Sequence, residues 1–341
     1  MDWNPQTLQF LSQSFLDTLS PQPELRRRAE NKLVDAANTP NYGLAVLQLV
    51  AEPSVDEQIR QCAAVNFNNH LRTRWVPSSA NHIPDSEKEQ IKTLIVPLML
   101  SATRKIQSQL SEAIAMIGNS DFPKLWPDLL PGLKSSLETA INANDFASVN
   151  GILSTLNSLF KRFRQEVKSN PILFDLKYCS DNFAAQLLST AESISSKING
   201  VGCVATLRQL LEARRLCCMI FYSLNVLDVP EKFSDKADEW MNEFKNYLSE
   251  RYPGIEEGGD ADCVSLVDEV RAAVCENISL YMEKKEEVLQ KHLSEFVEAV
   301  WSVVVVESAS ASERLTLSGL KFLTMNCLVG MRYCSGLLFQ I

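Results

Sequence analysis

The chain has 341 residues, 45% hydrophobic and 22% charged, with only 12 Gly and 14 Pro; this is enough to bury a sizeable core and too poor in glycine and alternating apolar runs for a sheet-rich fold. A formal charge of −9 argues against a nucleic-acid binder, whose affinity rests on Lys and Arg displacing counterions from phosphates, and favours a basic protein partner. Nine cysteines with no C-x-x-C pair read as reduced, buried thiols and argue against a disulfide scaffold and a zinc site.

Amphipathic segments recur in pairs along the chain, separated by short stretches rich in Pro, Asn, Asp, Ser or Gly. The first pair falls near 5–19 and 24–37. Its opening "MDWNPQTLQF" has no positive charge ahead of an apolar run, so no secretory signal is expected. In "LRRRAENK" (25–32), Glu24 with Arg28 and Arg26 with Glu30 stand at i, i+4, which reads as a solvated helix face or, more sharply, as a partner surface. A helix near 41–51 precedes "VDEQIRQCAAVNFNNHLRTRW" (55–75), where Ile59, Ala63, Phe67, Leu71 and Trp75 return every four residues and form one apolar stripe. Gln58, Gln61, Asn68 and Arg72 fall on the other side.

Helices near 85–100 and 103–118 lead to "DFPKLWPDLLPGL" (121–133), which sets three prolines four apart around a tryptophan. Pro123 and Pro127 are expected at successive helix starts, where the first turn has no donor to lose. Pro131 is expected to kink the helix read over 122–140, with Trp126 anchoring the bend. In "DFASVNGILSTLNSLFKRFR" (145–164), Phe146, Val149, Leu153, Leu156, Phe160 and Phe163 step by three and four, and Asp145 is placed to cap the first turn. Further helices are read over 171–196, 204–225, 231–250, 268–290 and 286–306. The most apolar stretch, 296–306, is interrupted by Glu298 and shorter than the roughly 20 residues a membrane span needs.

Searches for chemistry return nothing. There is no G-x-S-x-G, no phosphate-binding Walker loop and no H-E-x-x-H. "GVGCVA" (200–205) follows a polar, helix-like segment instead of a strand, so it reads as a loop entering a helix. His70, His82 and His292 stand near no pattern that pairs them with a nucleophile. The cations of "LFKRFRQEVK" (159–168) suit a helix C-terminus, because Phe160 and Phe163 belong to the apolar stripe. "YPGIEEGGDADC" (252–263) reads either as a linker between two bundles or, since helical pattern resumes at once, as a solvated loop inside one repeat; it lacks the ligand spacing of a calcium loop. No enzyme, cofactor or metal is expected.

Two antiparallel helices cannot bury both faces alone, so each pair must stack on the next. Unit lengths scatter around the two-helix repeats of HEAT and armadillo arrays. The expected fold is all-α: an α-solenoid of about six or seven HEAT-like helix pairs, wound as a right-handed superhelix.

"ELRRRAENKLVDAANTPNYGLAVLQLV" (24–50) with "IRQCAAVNFNNHLRTRW" (59–75) resembles the N-terminal domain of the importin-β family of nuclear transport receptors. The F-P-x-x-W-P-x-L-L element at 122–130 continues the likeness. "NGILSTLNSLFKRFRQEVKSN", "FYSLN", "VRAAVCENISLYMEKKEEVLQKHLSEFVEAVWSVV" and "RLTLSGLKFLT" resemble the branch of that family that returns importin-α to the cytoplasm. The resemblance runs from about residue 1 to 325 and implies a binding protein with no enzymatic activity.

The implied partners are the small GTPase Ran in its GTP form, importin-α as cargo and the FG-repeat proteins of the nuclear pore, with no nucleic acid and no membrane insertion. The implied location is nucleus and cytoplasm, with passage through the nuclear envelope. The resemblance implies an importin-β-type N-terminal, Ran-binding domain over 1–105, further repeats over 106–325 and a divergent tail over 326–341. In the family, Ran docks on the second helices of the first repeats, here near 24–37, 55–75 and 103–117. Helical phase then selects Gln61, Val65, Asn68, Asn69 and Arg72, with Gln107 and Ser111, as the contact set. The tail "MNCLVGMRYCSGLLFQI" departs from the family pattern, and the expectation is a short form that keeps the Ran surface but has impaired cargo binding and an apolar end, including Leu337, Leu338 and Phe339, that favours association.

Overall fold

The computed structural model describes residues 1–76, 82–252, 261–306 and 311–338, with side chains described for all of these but 261–264 and 328–338. The described residues form helices and no strands. None of these helices is long and apolar enough to cross a membrane. Two compact units are present, residues 1–136 with 154–159, and residues 137–153 with 160–341.

The first unit holds α1 (Pro5–Thr18), α2 (Pro23–Ala36), α3 (Tyr42–Ala51), α4 (Glu57–Arg74), α5 (Asp85–Ser101) and α6 (Arg104–Asp121). Helix starts follow their capping residues: Asn4 Oδ1 accepts from Thr7 N–H at 2.9 Å, and Asp56 Oδ1 from Gln58 N–H at 2.8 Å. The pairs α1/α2, α3/α4 and α5/α6 stack so that α1, α3 and α5 form one layer, while α4 packs on α6 in the other. Helix α3, "YGLAVLQLVA", is apolar all round because α1, α4 and α5 cover it. Its N-terminal donors, which have no partner within the helix, are satisfied from α5: the buried Glu87 carboxylate accepts from Asn41 N–H at 2.9 Å and Leu44 N–H at 3.4 Å. A Cβ on Gly43 would stand 3.1 Å from that carboxylate and would push it back by a few tenths of an ångström, so glycine suits the close approach.

The proline-rich joint corrects the expected helix over 122–140. Helix α6 ends at Asp121, residues 122–128 form turns, and α7 (Leu129–Asn142) starts only after them. Pro123, following a cis peptide bond, and Pro127 lie in these turns and not at helix starts. A proline pushes its preceding residue out of the α region, and Phe122 is extended at ψ 139°. Pro131 is the third residue of α7, where the amide has no intrahelical partner, so it removes no bond and gives no reason for a kink. Trp126 is buried, as expected of an anchor.

The second unit contains α8 (Phe146–Phe160) in part, then α9 (Arg162–Gln165), α10 (Asn170–Ile198), α11 (Val204–Asn225), α12 (Glu231–Ser234), α13 (Ala237–Ser249), α14 (Ala261–Lys284), α15 (Glu286–Gln290), α16 (Leu293–Trp301), a π-helical turn (Ser302–Val306) and α17 (Glu313–Leu338). Asp145 caps α8 as expected, accepting from Ser148 N–H at 3.1 Å. The pairs α10/α11, α13/α14 and α16/α17 repeat the two-layer plan, with α11, α14 and α17 side by side. Phe221, Phe233, Trp240, Phe244 and Tyr281 interlock at its centre with ring centroids 4.6–5.6 Å apart. The helix expected over 286–306 is instead three short elements. The expected tail is helical as far as Leu338. Residues 253–260, most of the stretch read as a linker or a solvated loop, and the side chains of Leu337, Leu338 and Phe339 lie outside the described residues.

Candidate functional site

Helix α4 has two faces. Ala63, Ala64, Phe67 and Leu71 are buried, while Gln58, Gln61, Cys62, Val65, Asn66, Asn69 and Thr73 line a groove of about 850 Å³. These residues recur at steps of three and four, which places them along one side of the helix. Leu33, Val34 and Ala37 of the α2 side and Phe15, Thr18 and Leu19 of the α1 side form the opposite wall, with Lys105 at one end. Helix α2 packs chiefly on α1, which leaves the space between α2 and α4 open.

The walls are apolar and accessible, Val34 being 63% and Val65 42% exposed. Arg74 ties the end of α2 to α4: Nη1 donates to Ala37 O at 2.6 Å and Nη2 to Asn38 Oδ1 at 2.8 Å. This also supplies a cation to the carbonyl end of α2. Tyr42 closes the floor, its hydroxyl donating to Asn66 Oδ1 at 2.7 Å.

Three titratable groups of the lining are held neutral, beside the charged Glu30, Arg74 and Lys105. Burial, reinforced by the Arg74 charge, lowers the His70 imidazole to about 4. Burial pushes the Tyr42 phenol and the Cys62 thiol up. A neutral imidazole, a protonated phenol and a protonated thiol supply no activated nucleophile. Among the described residues no three His, Cys, Asp or Glu side chains gather as a metal site. An apolar cleft with an amide rim is suited to docking a segment of another protein.

His70 carries a pH prediction. Its folded pKa lies below the unfolded value, so between about pH 6.5 and 4 the unfolded chain binds the extra proton and stability falls on acidification. Going from pH 7 to pH 5 is expected to cost the first unit about 2 kcal/mol. Denaturant titrations at both pH values check this, and His70→Phe should flatten the dependence.

The structure separates the residues selected from sequence by their exposure. Gln61, Val65 and Asn69 line the groove together. Arg72 stands exposed beside it, Nη2 donating to Glu112 Oε1 at 3.3 Å. Gln107 is half-buried, its amide donating to Met99 O at 3.3 Å. Asn68, 3% exposed, and Ser111, 2% exposed, are corrections: burial withdraws both from a contact surface. Asn68 Nδ2 donates to Gln109 O at 3.1 Å, and Ser111 Oγ accepts from Thr155 at 2.9 Å. Sequence phase marks the side away from the stripe, but α6 packs over one flank of it. The α1 and α2 wall was missed, since nothing local in sequence says that α2 and α4 stand apart.

The Cse1 family model matches residues 159–333, just over half of the chain, and the importin-beta N-terminal domain model matches residues 29–101. Exportin-2 from Homo sapiens is 36% identical over 334 residues, covering 96% of this chain and 34% of the relative. The chain thus spans about a third of the length of the curated relatives it matches. The exportin Cse1 in its cargo-free, cytoplasmic state superposes with a TM-score of 0.83 at 27% identity, over 94% of this chain and 34% of that one. Kap95p, in a structure where its binding induces the switch loops of RanGDP to adopt the GTP-bound conformation, matches at a TM-score of 0.57 and 16% identity over 97% of this chain and 34% of that one, a likeness of fold alone. The helix pairs are HEAT-type solenoid repeats, and the chain belongs to the Cse1 family.

Proposed function

We propose that this chain serves as a nuclear export receptor that binds GTP-bound Ran and returns importin-α from nucleus to cytoplasm, and that Ran docks in the groove between α2 and α4. The observation that carries this reading is the placement of Gln61, Val65 and Asn69 along one open, apolar-walled cleft on a second helix of an early repeat. Arg72 and Gln107 extend the proposed surface. The chain acts by coupling binding events, each partner favouring the arrangement that the other also favours. It shuttles through the pore and the nuclear envelope by contacts with FG-repeat proteins. Residues 1–105 are assigned to Ran engagement, 106–325 to further repeats and 326–341 to a divergent tail. A stretch covering about a third of its relatives' length is expected to hold importin-α only weakly by itself.

The test is binding to immobilised Ran loaded with GTP or with GDP. Preference for the GTP form, weakened at least tenfold by Val65→Glu through burial of an unpaired charge, is the expected result. Equal binding to both forms, or none, would move the assignment to a HEAT scaffold without transport activity.

A further inference from the structure

Asn68 was selected from sequence as a contact residue, and the structure turns it inward. The same arrangement recurs twice more. Asn68 of α4 donates from Nδ2 to Gln109 O of α6 at 3.1 Å and to Gln109 Oε1 at 3.0 Å. Asn150 of α8 donates to Gln209 O of α11 at 2.9 Å, and Asn277 of α14 to Cys218 O of α11 at 3.0 Å. Each bond lies within one compact unit and joins two helices across 41, 59 and 59 residues of sequence; for Asn68 and Asn277 both are second helices of their pairs. The acceptor carbonyls sit in helix interiors, so the amide uses the second lone pair of an oxygen that already closes a helical turn.

A further feature is common to all three. The Oδ1 atom of Asn68, Asn150 and Asn277 is buried and accepts no hydrogen bond from the protein. A half-satisfied buried amide is a poor device for stability, since the idle acceptor costs about as much as the donor bond contributes. It is a good device for register. Apolar helix seams attract without direction and allow neighbouring helices to slide and roll, whereas an amide-to-carbonyl bond is made at one register only. A buried asparagine at a coiled-coil seam has the same physics, fixing alignment at some expense in stability.

We propose that Asn68, Asn150 and Asn277 are register pins between the helices they join, and that Asn68 is a positioning residue for the docking groove. It sets the roll of α4 and with it the presentation of Val65 and Asn69. The groove clause rests on the proposed function; the pinning does not.

The test is Asn68→Leu and Asn277→Leu, with spin labels carried by noncanonical residues at Arg72 and Ser108 for the first seam and at Ala205 and Glu283 for the second. The expected result is an unchanged or raised melting temperature together with a broadened distance distribution across the altered seam. Affinity of unlabelled Asn68→Leu for Ran loaded with GTP falls about fivefold, while Asn277→Leu, remote in sequence from the groove, is the comparison. A lowered melting temperature with an unchanged distance distribution overturns the proposal, since it assigns the asparagines to stability alone. Altered distances with wild-type affinity overturn the groove clause. The distances are read without Ran, so failure of the wild-type chain to bind Ran leaves the pinning test intact. Should one variant fail to fold, the other carries the seam measurement.

Discussion

Arg214→Ala is expected to destabilise the second unit by about 3–5 kcal/mol, because it removes one partner of a buried ionic network and strands the others. The guanidinium on α11 is 0% exposed. Nη1 donates to Glu250 Oε2 at 2.5 Å and to Tyr252 Oη at 2.8 Å, while Nη2 donates to Ser195 Oγ at 3.1 Å. Its carbon lies 4.0 Å from the Tyr247 ring centroid, a stacked cation over an aromatic face. One side chain therefore holds together α10, α11, α13 and the residues that follow α13. Calorimetry should place the unfolding transition about 10 °C lower. Arg214→Lys is expected to recover little of this, since a single ammonium cannot reproduce the planar fork. A loss below about 1 kcal/mol would mean that the network behaves as a solvated surface pair.

The second large effect is expected at the proline-rich joint. Asp121, the last residue of α6, accepts from Trp75 Nε1 at 3.1 Å on one oxygen and pairs with Lys92 Nζ at 2.9 Å on the other. Both members of the ion pair are buried. Lys92 also donates to Leu125 O at 2.8 Å, so it holds the turn that carries Trp126. Asp121→Ala leaves the Trp75 indole without this acceptor and takes one of two carboxylates from Lys92, which keeps Glu89 at 2.9 Å, for an expected loss of about 2–3 kcal/mol in the first unit. Asp121→Asn keeps an acceptor for Trp75 and should lose less. Urea titrations of the two variants check the order; equal, small losses would show that the joint does not depend on the carboxylate.

What was legible in the sequence was local. The stripe of Phe67 and Leu71, the cap at Asp145 and the alternation of helix pairs depend on side chains within a few turns of one another, and the structure keeps all three. What was hidden depends on distant segments. Asn68 and Ser111 look like solvent-facing polar residues until Gln109 and Thr155 are brought beside them. Pro131 looks like a helix breaker until α7 is seen to begin two residues before it. The groove is a space between α2 and α4, and a gap has no sequence pattern of its own. The register pins are equally invisible, because the acceptor in each is a main-chain carbonyl that every residue carries.

The central claim, that the cleft between α2 and α4 receives Ran in its GTP form, is tested most directly by hydrogen–deuterium exchange of the free and Ran-bound chain. The account predicts slowed exchange concentrated in residues 23–36 and 57–74, seen with Ran bound to GTP and absent with Ran bound to GDP. Protection confined to other helices, with these two segments unchanged, would contradict it.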